Sequence, residues 1–453
     1  MGYTDSRSIL YTPVAVGRHD LLDSVPELTI PSSLDSKSKP FTPKRFAVGS
    51  EPSWSTAPFS PFTLDSRGNN VGTLDYGHIV GGVPWFDVSS LSGPVQIEIK
   101  YSEQFHGLQA PFSDGPYLFG NQLSANFRVE TMNITKTDRS EAFLVQGGQR
   151  WQSIRLITNG TVSFSRVGFH ATFPNVDPED EPGYFESDNE RLNEIWKLGV
   201  RGAQSSCVEK MSQPATWRVH PDNGVLVEVL RPIQSEEAPV IGNHTLEFET
   251  RVERGGLWWG VAWEIGSGPG LGLQITGDLP QESTFANHNY TLSPRNSLIV
   301  TSGWGQVNQT TLPTYVVDTF DLPFPFHEKT WYRARTTVEN GYLSVAIEDK
   351  QVFNISTEPI LVNVRGALAP LDFNGRFGLG AYQDQKAYYR NLMLHNQQGE
   401  IVYQNNLTTK DVLAEYGVQG NIFPACLDGP KRDRLIWLGD YYHTARIIAY
   451  AHL

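Results

Sequence analysis

Cysteine is nearly absent: Cys207 and Cys426 are the only two in a chain of 453 residues. Two thiols are too few for a small disulfide scaffold or a zinc cluster. Long apolar runs are also missing, and with no stretch near 18 hydrophobic residues there is no candidate for a bilayer-spanning helix. Basic charge is in deficit, 36 Lys and Arg against 49 Asp and Glu for a net charge of −13. That balance argues against nucleic acid or an anionic membrane as partner. No nucleotide-binding glycine loop, zinc-ligand spacing or Gly-x-Ser-x-Gly elbow occurs. Redox and acyl-transfer chemistry therefore lack support, and neither cofactor nor metal is expected.

What is present points to strands. Hydrophobic residues make up 39% and charged residues 19%, enough apolar material for real cores. Forty-one glycines, 29 prolines and 11% aromatics favour short strands and many turns. The length suggests two to four domains. Residues 1–70, rich in Ser, Pro and charge, read as an extended segment. Alternation then appears in Gln96–Tyr101, Ser153–Ile157 and Thr161–Phe164, the mark of antiparallel strands with one buried face. Asp177–Pro182, with two prolines and four acids, reads as a linker, or alternatively as a calcium-binding cluster. Ser187 and Glu190 fit a capping box, and Leu192, Ile195, Trp196, Val200 and Ala203 continue a helix toward Cys207.

Strand patterns return beyond Leu230. Thr245–Val252 alternates, and Trp331–Val338, Asn340-Gly341 and Tyr342–Ile347 form a strong hairpin signal, since Asn-Gly suits a type I′ turn. Asp349-Lys350 gives a second tight turn, and Gly375–Gly380 with Tyr388–Leu394 would close the sheets. This order resembles the concanavalin- and laminin-G-like sandwiches. Trp258, Trp259, Trp263 and Trp304 could stack on sugar rings or fill the sandwich core. Helical character resumes at Asp411–Tyr416 and again from Leu435. There Leu438, Tyr441, Tyr442, Ala445, Ile448 and Ala449 mark an apolar face with no stop signal before Leu453.

One segment stands apart, Cys426-Leu-Asp428-Gly-Pro-Lys-Arg432-Asp433-Arg434-Leu-Ile-Trp437-Leu-Gly-Asp440. Carboxylates beside arginines have split environments: one stays ionised, another in a drier niche can keep its proton. With an indole nearby, that combination suits a sugar site. It also suits a salt-bridged loop before a helix, with Asp440 pairing Arg434 or a lysine. The segment resembles the signature of the α-L-rhamnosidases, family 78 of the glycoside hydrolases, and in particular their fungal members. Leu74–Gly77 with Gly81-Gly82, Gly147–Trp151, Gly183–Ser187 and Leu192–Trp196 match as well.

The resemblance implies a mainly β, multidomain chain. An extended segment, 1–70, precedes an N-terminal β-sandwich, 71–178. A first helical segment, 183–235, and a continuation carrying the acidic signature, 399–453, belong to an incomplete (α/α)6 six-hairpin barrel. A concanavalin-like sandwich, 236–398, is inserted between them. Asp433 is the implied general acid, Asp428 and Asp440 grip the sugar hydroxyls, and Trp437 walls the sugar. Arg432, by its charge, orients the acids. The implied reaction is inverting hydrolysis of terminal α-L-rhamnosides, with carbohydrate as partner. Inversion needs a second carboxylate across the ring, and in the family it lies far beyond the signature. Twelve barrel helices need about 200 residues, and the two helical segments supply roughly half. The chain is therefore expected to be shortened within the barrel and to show negligible hydrolysis alone. The alternative is a non-catalytic carbohydrate-binding protein built on its two sandwiches.

Cys207 and Cys426 flank the insertion and so belong to the opening barrel segments, where they could form a disulfide or remain two buried thiols. Seven Asn-x-Ser/Thr sequons, at Asn133, Asn159, Asn243, Asn289, Asn308, Asn354 and Asn406, hint at a secretory route. Against it, residues 1–30 show no basic start followed by an apolar run. Secretion is the expected location.

Overall fold

The computed structural model describes residues 40–110, 113–114, 128–142, 145–173, 176–228, 233–263, 270–277, 294–302, 316–364, 367–381, 385–431 and 434–451. Within them the chain is mainly β, with two sandwiches and few helices. None of the described helices is long and apolar enough to cross a membrane.

The first sandwich is made from one strongly folded sheet of eight strands. Its spine is the 21-residue strand Val71–Leu91, which pairs with Gln146–Leu156 along its first half and with Thr161–Ala171 along its second. The register slips between Asp75 and Gly82, where the strand bends from one layer into the other. Gly82 sits at that bend with no room for a side chain, because a Cβ there would run into the His170 carbonyl. Leu74, Ile97, Ile99, Ile154, Phe86 and Phe164 are fully buried in the core between the layers. The amino-terminal stretch differs from the extended segment expected up to residue 70. Arg45–Gly49 pairs with the spine strand, Phe62–Asp65 pairs with Thr161–Ala171, and Phe41, Phe62 and Leu64 enter the core. These apolar side chains were hidden among Ser and Pro, which masked the period.

The second sandwich packs an eight-stranded sheet against a six-stranded one. In the larger sheet His244–Arg254 lies between Lys386–Asn396 and Trp331–Glu339, the latter followed by Tyr342–Ile347 and Lys350–Ser356. Asn340 and Gly341 turn the hairpin at φ 51° and 80°, as a type I′ turn requires. The next turn falls on Glu348-Asp349, at φ 50° and 61°, one residue before the expected Asp349-Lys350. Strands Trp217–His220 and Gly224–Val227 join the larger sheet, Ile233–Gln234 the smaller, and Ile401–Asn405 pairs with Lys386–Asn396. Stretches read as helical segments, 183–235 and 399–453, thus contribute strands on both sides of 236–398. Unsatisfied sheet edges recruit them, and Val225 and Val227 are fully buried as a result.

Helix α1 spans Glu190–Ser206. Its cap is Asn189, whose side chain accepts from Arg191 N, and not Ser187 as the capping-box pattern suggested. Ser187 instead bonds Asn193 Oδ1 through both its backbone N–H (2.9 Å) and its hydroxyl (3.0 Å). The acidic linker ahead of the helix is pinned to it by Glu179 with Lys197 and Asp177 with Arg201. A short helix α2, Asp411–Glu415, and helix α3, Leu438–Ala451, complete the described α-helices, and one 3-10 turn lies at Phe105–Gln109. Cys207 and Cys426 form a disulfide on directly opposed positions of a two-stranded ladder, joining the end of α1 to the segment that leads to α3.

Candidate functional site

Asp428 and Leu435 are tied to each other on either side of the charged cluster. Asp428 N–H donates to the Leu435 carbonyl at 2.9 Å, and Asp428 Oδ1 accepts from Leu435 N–H at 2.9 Å. The proline at 430 keeps the chain from continuing as strand or helix. Arg434 follows at φ 48°, a left-handed conformation that a non-glycine residue adopts at a cost. Its own guanidinium holds it there, donating from Nη1 to the Pro430 carbonyl at 2.8 Å.

The loop docks on one end of the first sandwich. Gly148 N–H donates to the Pro430 carbonyl at 2.8 Å, and the proline ring fills the place of the missing side chain at Gly148. Lys431 Nζ reaches Glu103 Oε2 at 2.7 Å and Asp114 Oδ2 at 3.2 Å. Beneath it Arg128, 2% exposed, donates to Asp114 Oδ1 at 2.8 Å and to the carbonyls of Gly147 (2.7 Å) and Gly148 (3.0 Å). Burial pushes the Asp114 carboxyl up, but the charges of Arg128 and Lys431 outweigh it and hold the group below the usual carboxylate range. Burial, reinforced by repulsion from Arg128, pulls the Arg434 guanidinium down to about 10. Its Nη2 is buried without a hydrogen-bond partner. The guanidiniums of Arg128 and Arg434 and the Lys431 ammonium are thus gathered where this segment meets the sandwich.

Three of the five expected site residues lie among the described residues. Asp428 is half-buried and serves as the clasp of the loop. Trp437 and Asp440 are exposed at the start of α3, with Trp437 contributing its carbonyl to Tyr441 N–H and Asp440 standing in the helix's first turn. Arg432 and Asp433 lie outside the described residues. Arg434 is spent on the Pro430 carbonyl, not on an ion pair with Asp440. Glu103, Asp114, Arg128 and Gly148 were not foreseen. Only Gly148 left a signal, a glycine pair inside a strand pattern, which marks close approach of another backbone.

Three of the second sandwich's indoles fill its interior. Trp258, Trp259 and Trp263 are buried, with Trp259 Nε1 donating to Thr336 Oγ1 (3.0 Å) and Trp263 Nε1 to the Leu271 carbonyl (3.1 Å). Trp304 lies outside the described residues. Of the sequon asparagines, Asn133, Asn159, Asn354 and Asn406 are exposed and Asn243 is half-buried, while Asn289 and Asn308 lie outside the described residues. No group of three or more His, Cys, Asp or Glu among the described residues is placed to hold a metal ion.

No family model matches this chain, and no curated protein resembles it in sequence. Solved structures with partial likeness include the carbohydrate-binding module CBM66 from Bacillus subtilis, 13% identical over 40% of this chain and 91% of its own, at a TM-score of 0.26. A rhamnosidase from Klebsiella oxytoca with rhamnose bound is 13% identical over 37% of this chain and 34% of its own, at 0.28. The galectin LEC-6 of Caenorhabditis elegans is 9% identical over 40% of this chain and 96% of its own, at 0.22. Likeness at this level does not carry a function across, so the functional reading rests on this chain's own residues.

Proposed function

We propose that this chain carries the proton-donating part of a glycoside-hydrolase centre of the α-L-rhamnosidase type, acting by inversion on terminal α-L-rhamnosides. The supporting observation is the tie between Asp428 and Leu435, anchored to the first sandwich through Lys431, Asp114 and Arg128 and followed in sequence by an exposed Trp437 and Asp440. A general acid must be held still relative to the leaving oxygen, and the tie between Asp428 and Leu435, which flank Asp433 in the sequence, supports that role.

In this reading Asp433 protonates the glycosidic oxygen, Asp428 and Asp440 accept hydrogen bonds from the sugar hydroxyls, Trp437 offers its ring face, and Arg432 orients the acids. A second carboxylate, about 6.5–9.5 Å from the acid, must activate water on the opposite face of the ring. Large apolar side chains on α1 and α3, Leu192, Ile195, Leu198, Leu438, Tyr441 and Tyr442, are exposed. That surface is where further barrel helices, and with them the base, are proposed to pack. The disulfide and the exposed sequons support an extracellular location.

Binding of L-rhamnose followed by tryptophan emission tests the site. A saturable change that is absent in Trp437→Phe and at least tenfold weaker in Asp428→Asn supports it. A change that survives both substitutions removes these residues from the site.

A further inference from the structure

The first sandwich carries a second candidate site, built from residues outside the acidic loop. Among the described residues 40–173 one large apolar side chain is exposed, Trp54, which is 54% open to solvent. An indole held in water forfeits the burial that drives folding, so one that is also fixed in place calls for a partner.

Trp54 is fixed from several sides. Its ring lies 4.5 Å from that of Trp151 and meets Phe105 edge-on at 5.8 Å, while Phe105 and Trp151 are 5.4 Å apart. The segment that bears it is tied down: Ser53 N–H donates to Thr73 Oγ1 at 3.2 Å, and Phe46 N–H to the Ala57 carbonyl at 3.1 Å. The result is a supported aromatic platform with Trp151 buried against it.

Charge distinguishes this platform from bare apolar surface. Arg45 lies 5.6 Å from the centre of the Trp54 ring, and Arg150 lies 5.2 Å from that of Trp151. Both pair with one carboxylate, Asp75: Arg150 through Nε (2.7 Å) and Nη2 (3.0 Å), Arg45 through Nη2. Burial works against the charge on Asp75, but bonds from Arg150, Gly77 N–H and Arg45 outweigh it and hold the carboxyl below its usual range. Two guanidiniums thus share a single negative charge, and one positive charge is left over. Nearby carboxylates do not cancel it: Glu51 faces Arg155 at 3.8 Å, and Glu98 faces Arg155 at 3.6 Å and Lys100 at 3.9 Å. The Arg45 and Arg150 side chains are 31% and 32% exposed. Arg45 Nε and Nη1 and Arg150 Nη1 take no partner among the described residues and are open to solvent.

These features select a ligand. Trp54 and Trp151 already touch, so no slot remains between them for a flat aromatic ring. A polyanion is opposed by the chain's net charge of −13. A sugar ring lays its C–H side on an indole while its hydroxyls accept from guanidinium donors. A single carboxylate on that ring takes up the surplus charge in the fork geometry a guanidinium favours.

We infer that Trp54 and Arg45 bind one residue of an acidic sugar, a uronic acid, with its ring against the indole and its carboxylate on the free guanidinium donors. The site shares no residue with the acidic loop and involves no catalysis.

The test uses the full chain with ¹⁵N-labelled tryptophan, the Trp54 indole N–H signal being assigned by its loss in Trp54→Phe. D-glucuronate and D-glucose are titrated separately at low salt. A saturable shift of the Trp54 signal with D-glucuronate is expected, and D-glucose should bind about tenfold more weakly. Added salt should weaken the first and spare the second. Arg45→Gln should bring D-glucuronate down to the level of D-glucose. Absence of a shift with D-glucuronate overturns the inference, as do equal affinities for the two sugars in the wild type, a comparison that needs no variant to fold. L-Rhamnose binding followed at Trp437 should be unchanged in Trp54→Phe, so either reading can fail without the other.

Discussion

Gly148 and Pro430 meet across 282 residues of chain with no space between them: the glycine N–H donates to the proline carbonyl at 2.8 Å, and a Cβ on Gly148 would fall 2.8 Å from the proline Cβ. The acidic loop is therefore seated by backbone contact as well as by charge. Gly148→Val must push the loop off its seat. Overpacking of this kind costs about 1–3 kcal/mol. The expected outcome is a lower denaturation midpoint together with weaker L-rhamnose binding, and an unchanged midpoint would mean the loop is not seated there.

Asp114 is the counter-charge for both Arg128 and Lys431. Replacing it by Asn strands a guanidinium that is 2% exposed, and breaking a buried pair from one side costs about 3–5 kcal/mol. Urea unfolding at neutral pH measures the loss.

The same carboxylate gives a pH signature. Its folded-state value is held below the ordinary one near 3.9. A depressed carboxylate stabilises the fold above its unfolded value and loses that contribution as pH falls through the folded one. Stability of the wild type should decline as acid is added below about pH 5, and Asp114→Asn should show a shallower decline over the same window. Parallel curves would contradict the assignment.

The Cys207–Cys426 disulfide closes a loop of 219 residues around the second sandwich. Cys207→Ser should cost about 2–5 kcal/mol, mainly by freeing the unfolded chain. Denaturant unfolding with and without reductant checks this, since reductant should bring the wild type to the variant's midpoint.

What could be read beforehand was local. The hairpin at Asn340-Gly341 was legible because two adjacent residues at positive φ demand that dipeptide, and the alternation of Thr245–Val252 because one face is buried. The fold-over of Val71–Leu91 and the recruitment of Gly224–Val227 were not, since both depend on which distant edge needs a partner. The acidic loop itself was visible as a cluster of charge, but its supports were not. Lys431 and Glu103 are 328 residues apart, and neither carries any mark of the other.

The claim on which the account depends is that Asp433 delivers a proton to a glycosidic oxygen. Azide can take the part of the water that a base would activate: it attacks the anomeric carbon from the opposite face as the C–O bond breaks and the acid protonates the departing oxygen. Incubating the chain with azide and an α-L-rhamnosyl disaccharide should give a rhamnosyl azide of inverted configuration, with Asp433→Asn slower by about 10²–10⁴-fold. Equal product from Asp433→Asn, or none from the wild type, would contradict it.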